Sequence, residues 1–418
     1  MSIRMIRYSP QNPLYSYVKR VFAVCATLFA TVNTIRMINR SLFLIFLLII
    51  CSSPLFAQAI TVFENGEAGY RCFRIPAIVS APSGNLLAFA EGRRNNCGDF
   101  GDVDVVMKIS TDQGKSWGEL RIVAENQDLQ AGNPAPVFDF TDPNFPEGRL
   151  FLIYNTGNAS EQKVREGKGV REVWVKTSVD EGTTWSEAQN ITTYVHRPNN
   201  PSFASAYTFS EDWRSYANTP GHAIQLTKGR YRGRLLVPAN HSVGPPKADF
   251  TDYRAHAFFS DDHGKTWQLS DEIDFLGSNE STAAQLANGQ VLMNMRNQMG
   301  EPKFRLVAKS KDGGKTWGNT IVETQLPDPV CEGSILAVGT KSGKRCLLFS
   351  NLNHQSLRQN LTIYRSDDRK GESWKRCKTV EEGSAAYSDL VEVQRGLPGI
   401  LYEKEEYSKI VFQAFVLD

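Results

Sequence analysis

The chain has 418 residues, 22% of them charged and 11% aromatic, with a formal net charge of +2. The first 59 positions hold six basic residues and no acidic one, so the remainder carries 41 basic against 45 acidic residues. That balance leaves no basic footprint for nucleic acid, and its uniform composition implies one large domain with no room for a sizeable accessory module.

In chain order, the first segment is basic (Arg4, Arg7, Lys19, Arg20, Arg36, Arg40), then apolar over 41–50, then Ala57-Gln58-Ala59. A basic stretch, an apolar core and a small-residue end predict a signal peptide over 1–59, and so an exported protein, periplasmic or secreted. The apolar block is too short for a permanent membrane span. The basic stretch is long, and Met37 is the alternative start. Cys51 follows a bulky Ile50, which makes a lipid anchor the lesser reading.

Residues 60–418 form the second unit. It begins with Tyr70-Arg71-Cys72-Phe73-Arg74-Ile75-Pro76, where Arg74 interrupts an apolar, strand-like run. A buried guanidinium costs desolvation unless paired, and its planar fork suits a carboxylate. Short runs rich in β-branched or aromatic residues follow at 103–109, 172–176, 255–259, 305–309 and 361–365.

Each run leads into one pattern: Ser110-x-Asp112-x-Gly114-x-Ser116-Trp117, and again at Ser178–Trp185, Ser260–Trp267 and Ser310–Trp317. A fifth copy, Ser366–Trp374, has one extra residue before Gly371. The Asp accepts bonds from following amides and the Gly takes a positive φ, so each box predicts a tight hairpin turn. Calcium is the rival reading, but the alternating acidic ligands and terminal Glu of a calcium loop are missing. The boxes lie 50 to 82 residues apart, room for a four-stranded sheet each. This predicts an all-β fold, a six-bladed β-propeller of four-stranded antiparallel sheets. Cys72, Cys97, Cys331, Cys346 and Cys377 form no C-x-x-C pair. Zinc is therefore not expected, one thiol at least is left over, and buried small hydrophobes are the favoured reading.

Two more arginines stand at strand edges. Arg296 ends 291–296, and Arg358 precedes Asn360-Leu361-Thr362-Ile363. Three arginines at the centre of a propeller could clamp one carboxylate with charge-assisted bonds.

F-R-I-P followed by Asp-boxes and these segments in this order resembles the bacterial secreted sialidase (neuraminidase) family over about residues 62–417. The resemblance implies that Arg74, Arg296 and Arg358 bind the sialic acid carboxylate, that Glu403 fixes Arg74, and that Arg93 contacts the 4-hydroxyl side of the sugar. It implies Tyr387 as nucleophile, Glu280 as its base and Asp99 as acid/base. Asp102 and Asp104 are near rivals of Asp99, and the three acids together are the rival metal cluster. A phenol suits the task, because the anomeric carbon bears a carboxylate that would repel a carboxylate nucleophile. Asp99 then needs an upward-tuned pKa. His222 is read as structural. A retaining exo-α-sialidase acting as a monomer on sialylated glycoproteins, glycolipids or oligosaccharides is expected, without cofactor or metal. The alternatives are a trans-sialidase and a non-catalytic glycan-binding propeller.

Overall fold

In a computed structural model the described residues are 59–339, 345–368 and 370–417. The predicted signal peptide up to residue 58, with Met37 and Cys51, lies outside them. No described helix is long and apolar enough to cross a membrane.

The regular structure is almost entirely strand. β1 (Ile60–Glu64) comes first. A group of four follows: β2 (Cys72–Ser80), β3 (Leu86–Arg93), β4 (Val103–Ser110) and β5 (Arg121–Ala124). The second is β6 (Gln130–Asp139), β7 (Arg149–Gly157), β8 (Arg171–Ser178) and β9 (Gln189–Asn190), with the short helix α1 (Glu161–Arg165) between β7 and β8. After α2 (Thr192–Val195) the third is β10 (Trp213–Asn218), β12 (Leu235–Val243), β13 (Tyr253–Ser260) and β14 (Gln268–Leu269). β11 (Ile224–Gln225) pairs beside β12. The fourth is β15 (Ser278–Gln285), β16 (Val291–Asn297), β17 (Phe304–Ser310) and β18 (Ile321–Pro327).

The last two groups share a strand. β19 (Ser334–Gly339), β20 (Arg345–Leu352) and β21 (Gln359–Ser366) pair with the first half of β22 (Lys375–Gln394). Its second half pairs with β23 (Leu397–Lys404), and β24 (Lys409–Ala414) then pairs with β1. The expected four-stranded sheets are therefore only partly separate. One run has seven strands, and the first two groups join through a single parallel bridge, Val103 to Gln130.

Most strands are buried on both faces, which erases the polar alternation of a half-exposed sheet. β3 reads Leu86-Leu-Ala-Phe-Ala-Glu-Gly-Arg93 with every residue buried. The reason is face-to-face packing of consecutive groups. One apolar cluster joins Leu87 and Met107 of the first group to Leu150 and Leu152 of the second. The same pattern continues to the cluster that joins Phe412 and Leu401 of the last group to Phe73 and Val106 of the first.

The turn boxes act at these seams. Ser110 Oγ donates to Asp112 Oδ1 (2.8 Å) and accepts from Gly114 N (2.8 Å), while Asp112 accepts from Ser116 N and Oγ at 2.9 and 2.6 Å. The second, third and fourth boxes repeat the set. The glycine is required twice over. Gly264 has φ 76°, and a Cβ there would lie 2.3 Å from Phe151 Cε1 of the preceding group. Gly114 meets Phe412 of the last group in the same way, so the turn that serves the other seams also serves the one between the last group and the first.

The cysteine reading is corrected in part. Cys72 and Cys97 form a disulfide with Cα atoms 5.2 Å apart, whereas Cys331 and Cys346 are buried free thiols and Cys377 is exposed. The pair stands at neighbouring β2 and β3–β4 loop positions that no spacing rule links.

Candidate active site

β2, β6, β10, β15 and β22 each place residues on one cavity of about 190 Å³. Of the predicted residues, Arg74, Arg93, Asp99, Glu280, Arg296, Arg358 and Tyr387 all line it. Glu403 stands behind Arg74.

Arg74 is aimed by a break in its own strand. The β2–β3 register shifts between Arg74 and Ala77, and Ile75 holds φ 58°, a costly value for a β-branched residue. The kink turns Ile75 N to Glu403 Oε1 (2.9 Å), and the same oxygen accepts from Arg74 Nε (2.7 Å). Glu403 Oε2 accepts from Tyr387 N at 3.1 Å, so one buried carboxylate fixes both Arg74 and the strand that bears Tyr387.

Tyr387 sits just past the point where β22 changes partners. Its phenol donates to Glu280 Oε1 (2.5 Å), and Arg296 Nη1 reaches Glu280 Oε2 (2.6 Å) and Tyr387 OH (3.0 Å). Burial, then the Glu280 charge, pushes the phenol well above its ordinary pKa against the pull of Arg296 and Arg358. It is therefore protonated, with its proton already directed at a carboxylate. Arg358 Nη2 donates to Val330 O and Nη1 to Tyr407 OH, both at 3.2 Å.

Asp99 differs. Its side chain is 72% exposed, on a loop whose neighbours are also exposed. Arg93, buried, ties that loop down by donating to Cys97 O (2.6 Å) and Asp99 Oδ1 (2.9 Å), while Glu91 Oε2 holds Arg93 at 3.0 and 2.6 Å. The Cys72–Cys97 disulfide anchors the loop to β2, two residues before Arg74. Desolvation raises the Asp99 pKa, but the charges of Arg93 and Arg74 outweigh it and hold the carboxyl below its usual range. The expected upward tuning is absent in the open pocket. Asp104 is buried against Tyr70 and Arg94, and Asp102 pairs with Arg94. Neither lines the cavity.

Several residues escaped the sequence reading. Tyr407 stacks under Arg74 (4.2 Å from guanidinium carbon to ring centroid) and accepts from Arg358, so it sets two arginines at once. It lies in a turn with three successive positive φ values (Glu405, Glu406, Tyr407), and no local pattern marks it. Glu91 Oε1 accepts from Asn133 N (2.9 Å), which Gly132 allows because a Cβ there would lie 2.2 Å from that oxygen. Glu332 Oε2 accepts from Ser388 N (2.9 Å), and burial pushes its carboxyl far above the usual range, so it stands neutral beneath the Tyr387 strand. Gln130, Asn133, Arg171, Ser215 and Asn240 also line the cavity.

His222 lines a different cavity. Its Nδ1 meets Asp389 Oδ1 at 2.7 Å, and Asp389 also accepts from Ile78 N, His222 N and Ser334 Oγ. This pins four chain segments together, a structural task. Asp139, Asp142 and His263 bring ligand atoms within 4.8 Å of one another. Their oxygens already accept from Thr141, Gln225, Asn144, Arg149 and the His263 ring, which leaves a cation little to coordinate.

A family described as BNR repeat-like domain matches residues 84–400. The chain belongs to this family. It is 32% identical over 356 residues to a sialidase of Micromonospora viridifaciens, covering 81% of this chain and 51% of that protein. It is 28% identical over 383 residues to Sialidase-2 of Cricetulus griseus, covering 86% and 95%. Among solved structures, the Hadza microbial sialidase Hz136 superposes with a TM-score of 0.72 at 27% identity, covering 86% of this chain and 68% of that one. The chain thus spans about half the length of the Micromonospora protein.

Proposed function

We propose that the chain is a six-bladed β-propeller and a retaining exo-α-sialidase that cleaves terminal sialic acid from glycoproteins, glycolipids or oligosaccharides. The hydrogen-bonded Tyr387–Glu280–Arg296 cluster, with Arg74 and Arg358 beside it, carries the reading. The three arginines take the sugar carboxylate and set the anomeric carbon over Tyr387. Glu280 accepts the phenolic proton as the oxygen attacks, forming a tyrosyl-sugar bond while the glycosidic bond breaks. A tyrosine nucleophile is the known exception to the two-carboxylate scheme for glycosidases.

Asp99 protonates the departing oxygen, then deprotonates the water that frees the sugar with net retention. It must carry a proton at the first step. The open pocket holds it ionised through Arg93 and Arg74. A substrate carboxylate on Arg74 neutralises one of those charges and excludes water, and both effects raise the pKa toward the acid role. The Cys72–Cys97 disulfide supports export to an oxidising compartment, where a monomer would meet its glycans.

The test uses an aryl sialoside, sialyllactose, and NMR of the first anomer released. Tyr387→Phe should lower kcat on both by about 10³-fold. Asp99→Asn should lower it by ~10²–10⁴ on sialyllactose and far less on the aryl glycoside, whose leaving group needs no acid. Equal turnover by Tyr387→Phe and wild type would sink the mechanism. Transfer to excess lactose exceeding release would make the chain a trans-sialidase, and no wild-type turnover would leave a glycan-binding propeller.

A further inference from the structure

We infer that the strand groups enclose a second ligand site, a cationic cavity away from Tyr387 that takes a short-chain carboxylate on His222 Nε2, with Lys228 at its mouth. This second site is independent of the sialidase reading. β15 separates the two cavities. Glu280 near its start lines the first, and Ala283, Ala284 and Gln285 near its end line the second, about 10–17 Å further on by strand rise.

The bonds that serve the fold use only one edge of the His222 ring. Nδ1 and the backbone N both meet Asp389, at 2.7 and 3.0 Å. Nε2 has no partner among the described residues and is not sealed off. The side chain keeps 9% of its surface, on a cavity of about 110 Å³. Burial opposes charge on the ring, but Asp389 outweighs it and raises the pKa. At mildly acid pH Nε2 therefore carries a proton, a nine-tenths buried donor that calls for an acceptor.

What surrounds Nε2 decides the ligand. No Asp or Glu lines the cavity, whereas Lys228 and Arg345 do, and both are exposed. The two wall amides are spent within the protein: Gln225 on Asp139, Thr141 and Gly233, and Gln285 on Thr227, Lys228 and Gly289. A neutral polar ligand thus finds few partners, while an anion finds one buried donor and two charges at the rim. The remaining wall is aliphatic, formed by Ile224, Ala283, Ala284, Ile335, Leu336 and Ala337. It suits a hydrocarbon tail and leaves the outer oxygens of a phosphate without partners. At ~30 Å³ per water the volume matches about four waters, the size of an acid of about two to four carbons.

The experiment follows the backbone amide NMR signals of Ala284 and Ala337 in the full chain at about pH 6, as butyrate or inorganic phosphate is added. These signals are local, which separates the site from carboxylate bound at Arg74, Arg296 and Arg358. Butyrate should shift them saturably with a Kd at or below about 1 mM, and phosphate should bind at least about tenfold more weakly. His222→Asn places an amide nitrogen where Nδ1 stood, keeping the Asp389 bond and deleting Nε2, and should abolish the shifts. Lys228→Glu, at an exposed position, should weaken butyrate about three- to tenfold and keeps the test valid if the asparagine variant does not fold. No shift at these amides, phosphate as tight as butyrate, or an unchanged Kd in Lys228→Glu overturns the inference.

Discussion

In the turn boxes the bonds of the Ser and Asp that shape the turn close within a few residues, Ser110 to Asp112 and Asp112 to Ser116. In the pocket the partners are remote, with Arg74 on Glu403 329 positions away and Tyr387 on Glu280 107 away. The residue types are ordinary in both places. A box is a unit that forms with its own hairpin and is then pressed against the next group of strands. The pocket exists only when five or six groups are in place together, and Arg74 and Tyr387 are held only once a distant partner arrives. Damage to a box should therefore stay local, whereas damage to a pocket partner should reach stability and turnover at once.

Glu403→Gln should show the largest effect. It leaves the buried Arg74 charge unpaired and offers an amide to the Ile75 and Tyr387 N–H groups. Loss of about 3–5 kcal/mol is expected, a Tm lower by roughly 10 °C, with kcat/KM down by about 10²-fold or more. A change in only one of the two would break the comparison.

A buried trio in the third strand group sharpens it differently. His196, His241 and His256 are fully buried around Trp213, and burial holds each well below its usual pKa. As pH falls below about 6.5 the unfolded chain takes up protons there and the folded one does not, so stability is lost with falling pH. His222 has the opposite sign. Asp389 raises it against desolvation, and its contribution is present at low pH and fades as pH rises. Three against one predicts a Tm that drops between pH 6.5 and 5, above the range of ordinary carboxylates. A Tm that is flat or rises over that interval contradicts the account.

The smallest effect on activity belongs to Gly264→Ala. The new methyl meets Phe151 at a left-handed backbone position, costing about 1–3 kcal/mol by overpacking. Turnover at 25 °C should stay within about twofold of wild type, and a larger loss would mean that the boxes reach the pocket after all.

The sequence exposed the boxes because their chemistry is local: Ser, Asp, Gly and Trp at set spacings specify a turn without knowing what it packs on. It exposed Arg74, Arg296 and Arg358 because a charge in an apolar run is an anomaly that needs a partner. It said nothing of Tyr407, Glu332 or Gln130, whose meaning comes only from neighbours far away in the chain. The Cys72–Cys97 pair was hidden for the same reason, since β2 and the loop after β3 become neighbours only through strand pairing.

The composition and the repeated turn were enough to determine a chain of short strands in an all-β fold, with chemistry left to the single-copy residues between repeats. Tertiary structure alone decided that β22 serves two groups, that Asp99 lies exposed with a lowered pKa, and that Arg171 lines the cavity with its Nε unpartnered among the described residues. Spacing along the chain encodes bonds that close within a turn, whereas burial and charge pairing depend on which remote atoms share the same low-dielectric space.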